Sequence, residues 1–186
     1  MHWTLADLVA DITQNGIESG ASQVDLSVSE LRDDTGKAEF RFTVSDNGKG
    51  MNADELEKAK DPFFTDGVKH PLRKIGLGVP FLIQTAEQSG GGTEVKSEPG
   101  KGTTVTAWFD LNNIDTPPVG DIPGMFRSVL LFQGPGEIVL RRICRDSKRN
   151  LDYTVRKSEI VDAIGSLEDA GSLALLGQYL QGLEEE

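Results

Sequence analysis

The chain has 186 residues, of which 37% are hydrophobic, and its formal net charge is -11. This length allows one domain plus a small appendage, and the apolar content supports a packed core rather than a disordered chain. The acidic excess opposes contact with a phosphate backbone, which argues against nucleic acid as the main partner. Cys144 is the single cysteine, so no intrachain disulfide can form. The sequence contains neither an 18-residue apolar run nor a signal-peptide pattern, which predicts a cytoplasmic protein without a membrane partner.

The first part of the chain predicts a helix followed by a sheet. Thr4 is placed to cap the helix and Gly20 to end it. The apolar residues of this helix recur at helical spacing: Leu5, Leu8, Val9 and Ile12. Alternating apolar residues then predict strands at 24–28 and 40–44, joined by a polar turn at 32–36. Further predicted elements are a short helix at 53–60 capped by Asn52, a helix from Pro80 to Gln88, and strands at 93–98 and 103–110.

The second part predicts a linker and a small α/β region. Residues 113–124 are rich in proline and glycine, as linkers commonly are. Beyond them we predict strands at 128–132, 138–145 and 151–155, and helices at 158–164 and 173–183. A region of this size, residues 125–186, has a marginal core of its own. We therefore expect it to pack on the first domain or on a protein partner.

Polar side chains lie along one side of the first helix. At about 100° per residue, Asp11, Asn15 and Glu18 fall within an arc of about 60°, separate from the apolar side. A solvated polar surface is the ordinary explanation of such a stripe. Three further segments, all rich in glycine, favour a ligand site instead; they are residues 46–50, 74–78 and 100–105.

Each of these segments suits one part of a nucleotide. Asp46 follows a strand and precedes two glycines, so a fixed acceptor and an approachable backbone lie together, although an ordinary strand-ending turn would look similar. Residues 76–78 open the helix of Pro80, and a helix N-terminus attracts phosphate. The basic residues between 69 and 74 could bind an anion or form a solvated loop. Gly102 and Thr103 could equally form a hairpin turn.

In their order along the chain, these segments resemble the ATP site of the GHKL superfamily, which includes gyrase, a heat-shock chaperone, histidine kinases and MutL. The resemblance covers residues 1–112 and is greatest to the histidine-kinase-like ATPases, including small stand-alone ATP-binding proteins of anaerobic bacteria. It implies a two-layer α/β sandwich, with a mixed sheet and helices on one face, that binds ATP and Mg²⁺. The small α/β appendage would follow it.

The resemblance also implies roles for individual residues. Asn15 would ligate Mg²⁺ through its side-chain oxygen, and Asp46 would accept a hydrogen bond from the adenine amino group. Asp11 stands where hydrolytic members carry a glutamate general base, and its shorter side chain predicts weak turnover. Met51 would line the adenine pocket, although a core position suits a methionine equally well. The other implied nucleotide contacts are Glu18, Gly48, Gly50, Lys69, Arg73, Lys74, Gly76, Leu77, Gly78 and Thr103, with 65–75 forming the ATP lid.

Three functions remain open for such a chain. The first is a nucleotide-dependent regulatory or signalling module that contacts a protein partner through residues 125–186. The second is a serine kinase that acts on a partner, as in anti-sigma factors, and the third is a slow ATPase. The helical hairpin that carries the phosphoacceptor histidine of sensor kinases has no counterpart in this sequence, so a complete sensor kinase is not expected.

Overall fold

A computed structural model describes residues 3–61 and 78–185 of the chain. Within these ranges, six helices and six strands follow one another in this order: α1 Leu5–Glu18, β1 Gln23–Arg32, β2 Ala38–Asp46, α2 Ala53–Lys60, α3 Gly78–Gln88, β3 Gly92–Glu98, β4 Gly102–Asp110, α4 Ile122–Leu130, β5 Glu137–Arg145, β6 Asn150–Arg156, α5 Lys157–Ile164 and α6 Ala170–Glu185.

All six strands form one mixed sheet, in the order β3-β4-β2-β1-β5-β6. The pairing of β1 with β5 is parallel, and the other four pairings are antiparallel. Strands β1 and β2 form a long hairpin in which Val24 faces Asp46 and Arg32 faces Ala38. Since β5 pairs with the other edge of β1, β1 has strands of the N-terminal and C-terminal parts on either side.

One face of the sheet is buried and the other is polar. Along β1 and β2 the buried residues alternate with more exposed ones, as the period of a strand requires. The exposed face carries hydroxyl pairs across the strands: Thr43 with Thr106, and Ser45 with Thr104. Five of the six described helices pack on the buried face, where one hydrophobic cluster includes residues of α1, α3, α4, α5 and α6. The predicted two-layer α/β sandwich, with a mixed sheet and helices on one face, is confirmed.

Helix α1 begins and ends as the sequence predicts. The Thr4 hydroxyl accepts a hydrogen bond from the backbone N–H of Asp7, whose carboxylate accepts one from the Thr4 N–H, so both form a capping box. The helix ends at Ser19, and Gly20 follows with a φ of 80°, a conformation that glycine adopts without strain. The apolar side of α1 is buried against the sheet.

The predicted strand at 128–132 is wrong, because this segment lies largely in helix α4. Asp121 caps the helix by accepting a hydrogen bond from the Gly124 N–H. The buried residues of α4 have helical spacing: Ile122, Met125, Phe126, Val129 and Leu130. The strand prediction used only the end of this pattern, where apolar residues are adjacent. The other predicted helices and strands named above are confirmed, with small differences at their ends.

The segment predicted as a linker runs along the start of helix α1. The backbone N–H groups of Leu5 and Ala6 donate to the carbonyl oxygens of Pro118 and Val119. Helix α4 already begins at Ile122, inside the predicted linker range of 113–124. The proposed division into 1–112 and 125–186 stays a prediction. In the structure both parts contribute to one sheet and one hydrophobic core.

A buried ionic network lies beneath the C-terminal strands. The guanidinium of Arg142, only 1% exposed, donates to Glu30 of β1 at 3.0 Å and to Glu184 of α6 at 3.1 Å. The Tyr153 hydroxyl also donates to Glu184, and Arg149 reaches Glu30. Burial, followed by the contact with the Glu184 carboxylate, raises the pKa of Tyr153. The network ties the end of α6 to three neighbouring strands.

Within residues 3–61 and 78–185, no helix has the length and apolar character needed to cross a membrane.

Candidate functional site

Asp11 and Asn15 meet the first residue of helix α3. They lie one turn apart on α1, where Asp11 is half-buried and Asn15 is exposed. A Cβ built on Gly78 would lie 2.5 Å from Asp11 Oδ2 and 3.3 Å from Asn15 Nδ2. The structure therefore brings three of the predicted site residues together, at the N-terminal end of α3.

Asp46 is the last residue of strand β2 and is mostly buried, with 9% of its surface exposed. Its Oδ1 accepts hydrogen bonds from the Ser19 hydroxyl at 3.0 Å and from the Gly48 backbone N–H at 2.9 Å. Among the described residues, no hydrogen bond reaches Oδ2, which lies 3.5 Å from the position of a Cβ on Gly16. One carboxylate oxygen thus accepts two hydrogen bonds from the protein, and the other accepts none from the described residues.

The glycines around Asp46 allow two loops to touch. Gly50 has a φ of 64° and Gly102 a φ of 104°. A Cβ on Gly50 would overlap the carbonyl of Glu98, and a Cβ on Gly102 would overlap the carbonyl of Asp46. The Gly100 N–H donates to the Lys49 carbonyl at 2.7 Å, which joins the loops directly. The conformation of these loops therefore requires glycine at both positions.

Thr103 is the register partner of Asp46 across β2 and β4. Its hydroxyl lies 2.8 Å from the hydroxyl of Ser97, which also accepts a hydrogen bond from the Met51 backbone N–H at 2.8 Å. Met51 is half-buried next to the glycine loop. Ser97 thus contacts both Met51, the predicted adenine-pocket residue, and Thr103, a predicted nucleotide contact, although no role was predicted for Ser97 itself.

Other predicted site residues lie apart from this arrangement. Glu18 is exposed at the end of α1 and accepts a hydrogen bond from Gln14. Among the described residues, no hydrogen bond or ion pair joins Glu18 to Asp46 or Asn15. Five predicted nucleotide contacts lie outside the described residues: Lys69, Arg73, Lys74, Gly76 and Leu77.

Three residues besides Ser97 support the site without having been predicted to do so. Ser19 contacts Asp46, and Gly16 packs against the Asp46 side chain. The Asn47 side chain accepts hydrogen bonds from the N–H groups of Ser22 and Gln23, which fixes the loop after α1 to the end of β2. The sequence held a partial signal for Ser19, because it follows Asn15 at a spacing of four residues and shares its side of the helix.

The described side chains fit a magnesium–nucleotide complex better than an independent metal site. Within residues 3–61 and 78–185, no group of three or more His, Cys, Asp or Glu side chains could hold a metal ion. Mg²⁺ typically takes only one or two protein ligands and completes its shell with phosphate oxygens and water. The exposed amide of Asn15, next to the start of α3, matches that requirement.

Comparison with known proteins identifies the family of the chain. The sequence profile of the family described as histidine kinase-, DNA gyrase B-, and HSP90-like ATPase matches residues 3–113, which contain α1 through β4. The chain belongs to this family. Histidine-kinase-like ATPase domains bind ATP, so nucleotide binding follows from membership. All the site segments discussed above fall within the matched residues.

Individual relatives are similar over the same part of the chain. The sensor histidine kinase ZraS of Escherichia coli K12 is 30% identical over 116 residues, or 62% of this chain and 23% of that protein. The sensor kinase CckA of Brucella abortus is 44% identical over 63 residues, or 34% of this chain and 6% of that protein. The chain therefore spans about a quarter or less of these kinases.

Among solved structures, a histidine kinase domain from the blue-light activated histidine kinase of Erythrobacter litoralis EL346 is similar. The TM-score is 0.38 at 17% sequence identity, with 60% of this chain and 45% of that chain covered.

Proposed function

We propose that this ATPase-family chain binds Mg-ATP and works as a nucleotide-dependent regulatory module, in the cytoplasm and with a protein partner. The observation that carries the proposal is the arrangement of Asp46. Its Oδ1 is held by Ser19 and Gly48, while no described residue donates to Oδ2. Oδ2 is not among the fully buried atoms, so an accessible oxygen on a mostly buried carboxylate, without a described protein donor, is suited to a ligand donor.

The adenine end of the nucleotide would lie at Asp46. The exocyclic amino group of adenine would donate to Oδ2, and guanine would present a carbonyl oxygen there instead. Gly16, Gly48 and Gly102 keep the surrounding backbone and side chains close without adding a Cβ. Thr103 and Met51, both tied to Ser97, would border the base.

The phosphate end would lie where α1 meets α3. The N–H groups at the start of α3 and the positive end of its dipole favour an anion. Asn15 would hold Mg²⁺, which when bound neutralises phosphate charge. Gly78 keeps the start of α3 close to Asp11 and Asn15, and predicted contacts from Lys69, Arg73, Lys74, Gly76 and Leu77 would complete this end.

A regulatory role is supported by the path from α1 to the C-terminal part. Helix α1 carries Asp11 and Asn15, and its first residues bond to Pro118 and Val119. It also packs against α4, which packs against α6. On α6, Leu175 and Tyr179 are 55% and 47% exposed and lie one turn apart. Together they would offer an apolar contact surface to a protein partner. A change at the nucleotide would reach this surface through two helix contacts.

The test is calorimetry with ATP, ADP and GTP. ATP should bind at least tenfold more tightly than GTP, and Asp46→Asn should weaken ATP binding by about 1.5–3 kcal/mol, the range for a hydrogen bond to a charged group. Asp25→Asn is the control, because Asp25 lies on the other face of the sheet and contacts Gln23. Equal affinity for ATP and GTP would refute the role of Asp46.

The regulatory part needs a second experiment. Partner capture from an extract with ATP, with ADP and without nucleotide should give different amounts of a bound protein, and labelled phosphate from ATP should stay off that protein. Phosphate transfer to a serine of the partner would replace the regulatory module with a serine kinase. Capture that is equal in all three conditions would exclude nucleotide control.

A further inference from the structure

We propose that Ser19 is a positioning residue for base recognition, which holds the Asp46 carboxylate so that Oδ2 faces the nucleotide. The inference rests on the proposed function, since it takes Asp46 as the reader of adenine. It adds a determinant of base selectivity on helix α1, outside the strand and the glycine loop that carry Asp46.

Three contacts join Ser19 to the Asp46 loop. The Ser19 hydroxyl lies 3.0 Å from Asp46 Oδ1, and the Ser19 carbonyl accepts a hydrogen bond from the Lys49 N–H at 3.3 Å. A Cβ on Gly48 would overlap the Ser19 hydroxyl, so the loop passes directly over this side chain. These contacts involve both the hydroxyl and the carbonyl of Ser19, and they converge on residues 46–49.

The hydroxyl of Ser19 also fixes its own position. It lies 2.6 Å from the Gly16 carbonyl, and its single proton is shared between that oxygen and Asp46 Oδ1. The Ser19 N–H caps α1 by donating to the carbonyl of Asn15 at 3.1 Å. Ser19 is therefore held by the rigid last turn of α1, and it transmits that position to the carboxylate.

The effect on Asp46 follows from how many donors each oxygen has. With Ser19 and Gly48 on Oδ1, rotation of the carboxylate would break two hydrogen bonds. Without the Ser19 hydroxyl, only the Gly48 N–H would oppose rotation, and the carboxylate would present an oxygen to the amino group of the base in a less fixed orientation. Loss of Ser19 should therefore reduce discrimination at the base more than it reduces affinity for the rest of the nucleotide.

The experiment compares ATP with purine ribonucleoside triphosphate, which lacks the exocyclic amino group. The selectivity ratio is the dissociation constant of the purine analogue divided by that of ATP. Calorimetry gives this ratio for the unsubstituted chain and for Ser19→Ala, Asp46→Asn and Ser45→Ala. Ser45 is the matched control, because it neighbours Asp46 in sequence but its hydroxyl pairs with Thr104 on the opposite face. We expect the ratio to fall about fivefold to tenfold in Ser19→Ala, with little change for the purine analogue and none for Ser45→Ala.

A purely structural role gives a different result. If Ser19 only caps α1, both nucleotides should lose affinity equally and the ratio should stay constant, which would overturn the inference. If Ser19→Ala does not fold, Ser19→Cys keeps the size of the side chain with a weaker donor and should still lower the ratio. An unchanged ratio in that variant would equally overturn it.

The failure of this inference is distinguishable from failure of the proposed function. If the ratio falls in Asp46→Asn but stays unchanged in Ser19→Ala, the positioning role of Ser19 is excluded and Asp46 remains the residue that recognises adenine. A ratio near one in the unsubstituted chain would exclude both the role of Ser19 and that of Asp46, because the amino group would then not be recognised at all.

Discussion

Gly78, the first residue of helix α3, lies against the carboxylate of Asp11 on helix α1. A Cβ at position 78 would come within 2.5 Å of Asp11 Oδ2. The two residues are 67 positions apart in sequence, and the elements that carry them are the two helices that border the predicted phosphate end. Substitutions at these two positions can therefore test how closely α1 and α3 approach each other.

The first prediction concerns Gly78→Ala. Alanine favours a helix over glycine by up to about 1 kcal/mol, but its Cβ would meet the Asp11 carboxylate. In the unsubstituted background we expect no gain in the free energy of unfolding. In an Asp11→Ala background, where the obstructing carboxylate is gone, the same change should stabilise by about 0.5 kcal/mol, less than in a helix interior because residue 78 is the first of α3. Urea unfolding of the unsubstituted chain, the two single variants and the double variant measures these free energies. If Gly78→Ala has the same effect in both backgrounds, residues 11 and 78 are not in contact.

The second prediction concerns turnover. A general base must come within about 2.6–3.2 Å of its water, and aspartate is shorter than glutamate by one bond, about 1.5 Å. We expect very slow ATP hydrolysis by the unsubstituted chain and a faster rate for Asp11→Glu, measured as phosphate release. Asp11→Asn should bind ATP with little change. A brisk rate that falls in Asp11→Glu would mean that the site is built around aspartate, in favour of an ATPase or kinase.

The third prediction concerns magnesium. Removing the Asn15 amide by Asn15→Ala should lower the benefit of Mg²⁺ to ATP affinity by about tenfold, as one ligand is lost. The fold should remain, because Asn15 is exposed and lies off the buried side of α1. ATP titrations with Mg²⁺ and with a chelator measure this, with the exposed neighbour Gln14→Ala as control. Unfolding of Asn15→Ala without a change in magnesium dependence would make Asn15 structural.

The fourth prediction concerns the buried network of the C-terminal strands. Glu184→Ala leaves Arg142 with Glu30 as its remaining carboxylate and removes the acceptor of Tyr153. We expect a loss of about 3 kcal/mol in the free energy of unfolding, the lower end for breaking a buried ion pair. The adjacent exposed Glu185→Ala should change it by less than about 0.5 kcal/mol. Similar results for both variants in denaturant unfolding would refute the role of the network.

The sequence by itself determined the local features of this protein. The capped amphipathic helix α1, the alternating strands β1 and β2, and the Asp46–Gly50 segment depend on neighbours a few residues away, so their pattern is visible in the chain. The family followed from the order of those segments. The end of α4 misled the strand prediction, because adjacent apolar residues fit either period over a short stretch.

Only the tertiary structure decided which distant residues meet. Arg142 looks like a surface arginine in sequence, and it is buried because β5 joins β1 in parallel and brings it to Glu30, 112 positions away. Asp46 is fixed by Ser19 across 27 positions, and Asp11 meets Gly78 through the packing of two helices. Burial, ion pairing and the orientation of the Asp46 carboxylate depend on such contacts, and no local pattern encodes them.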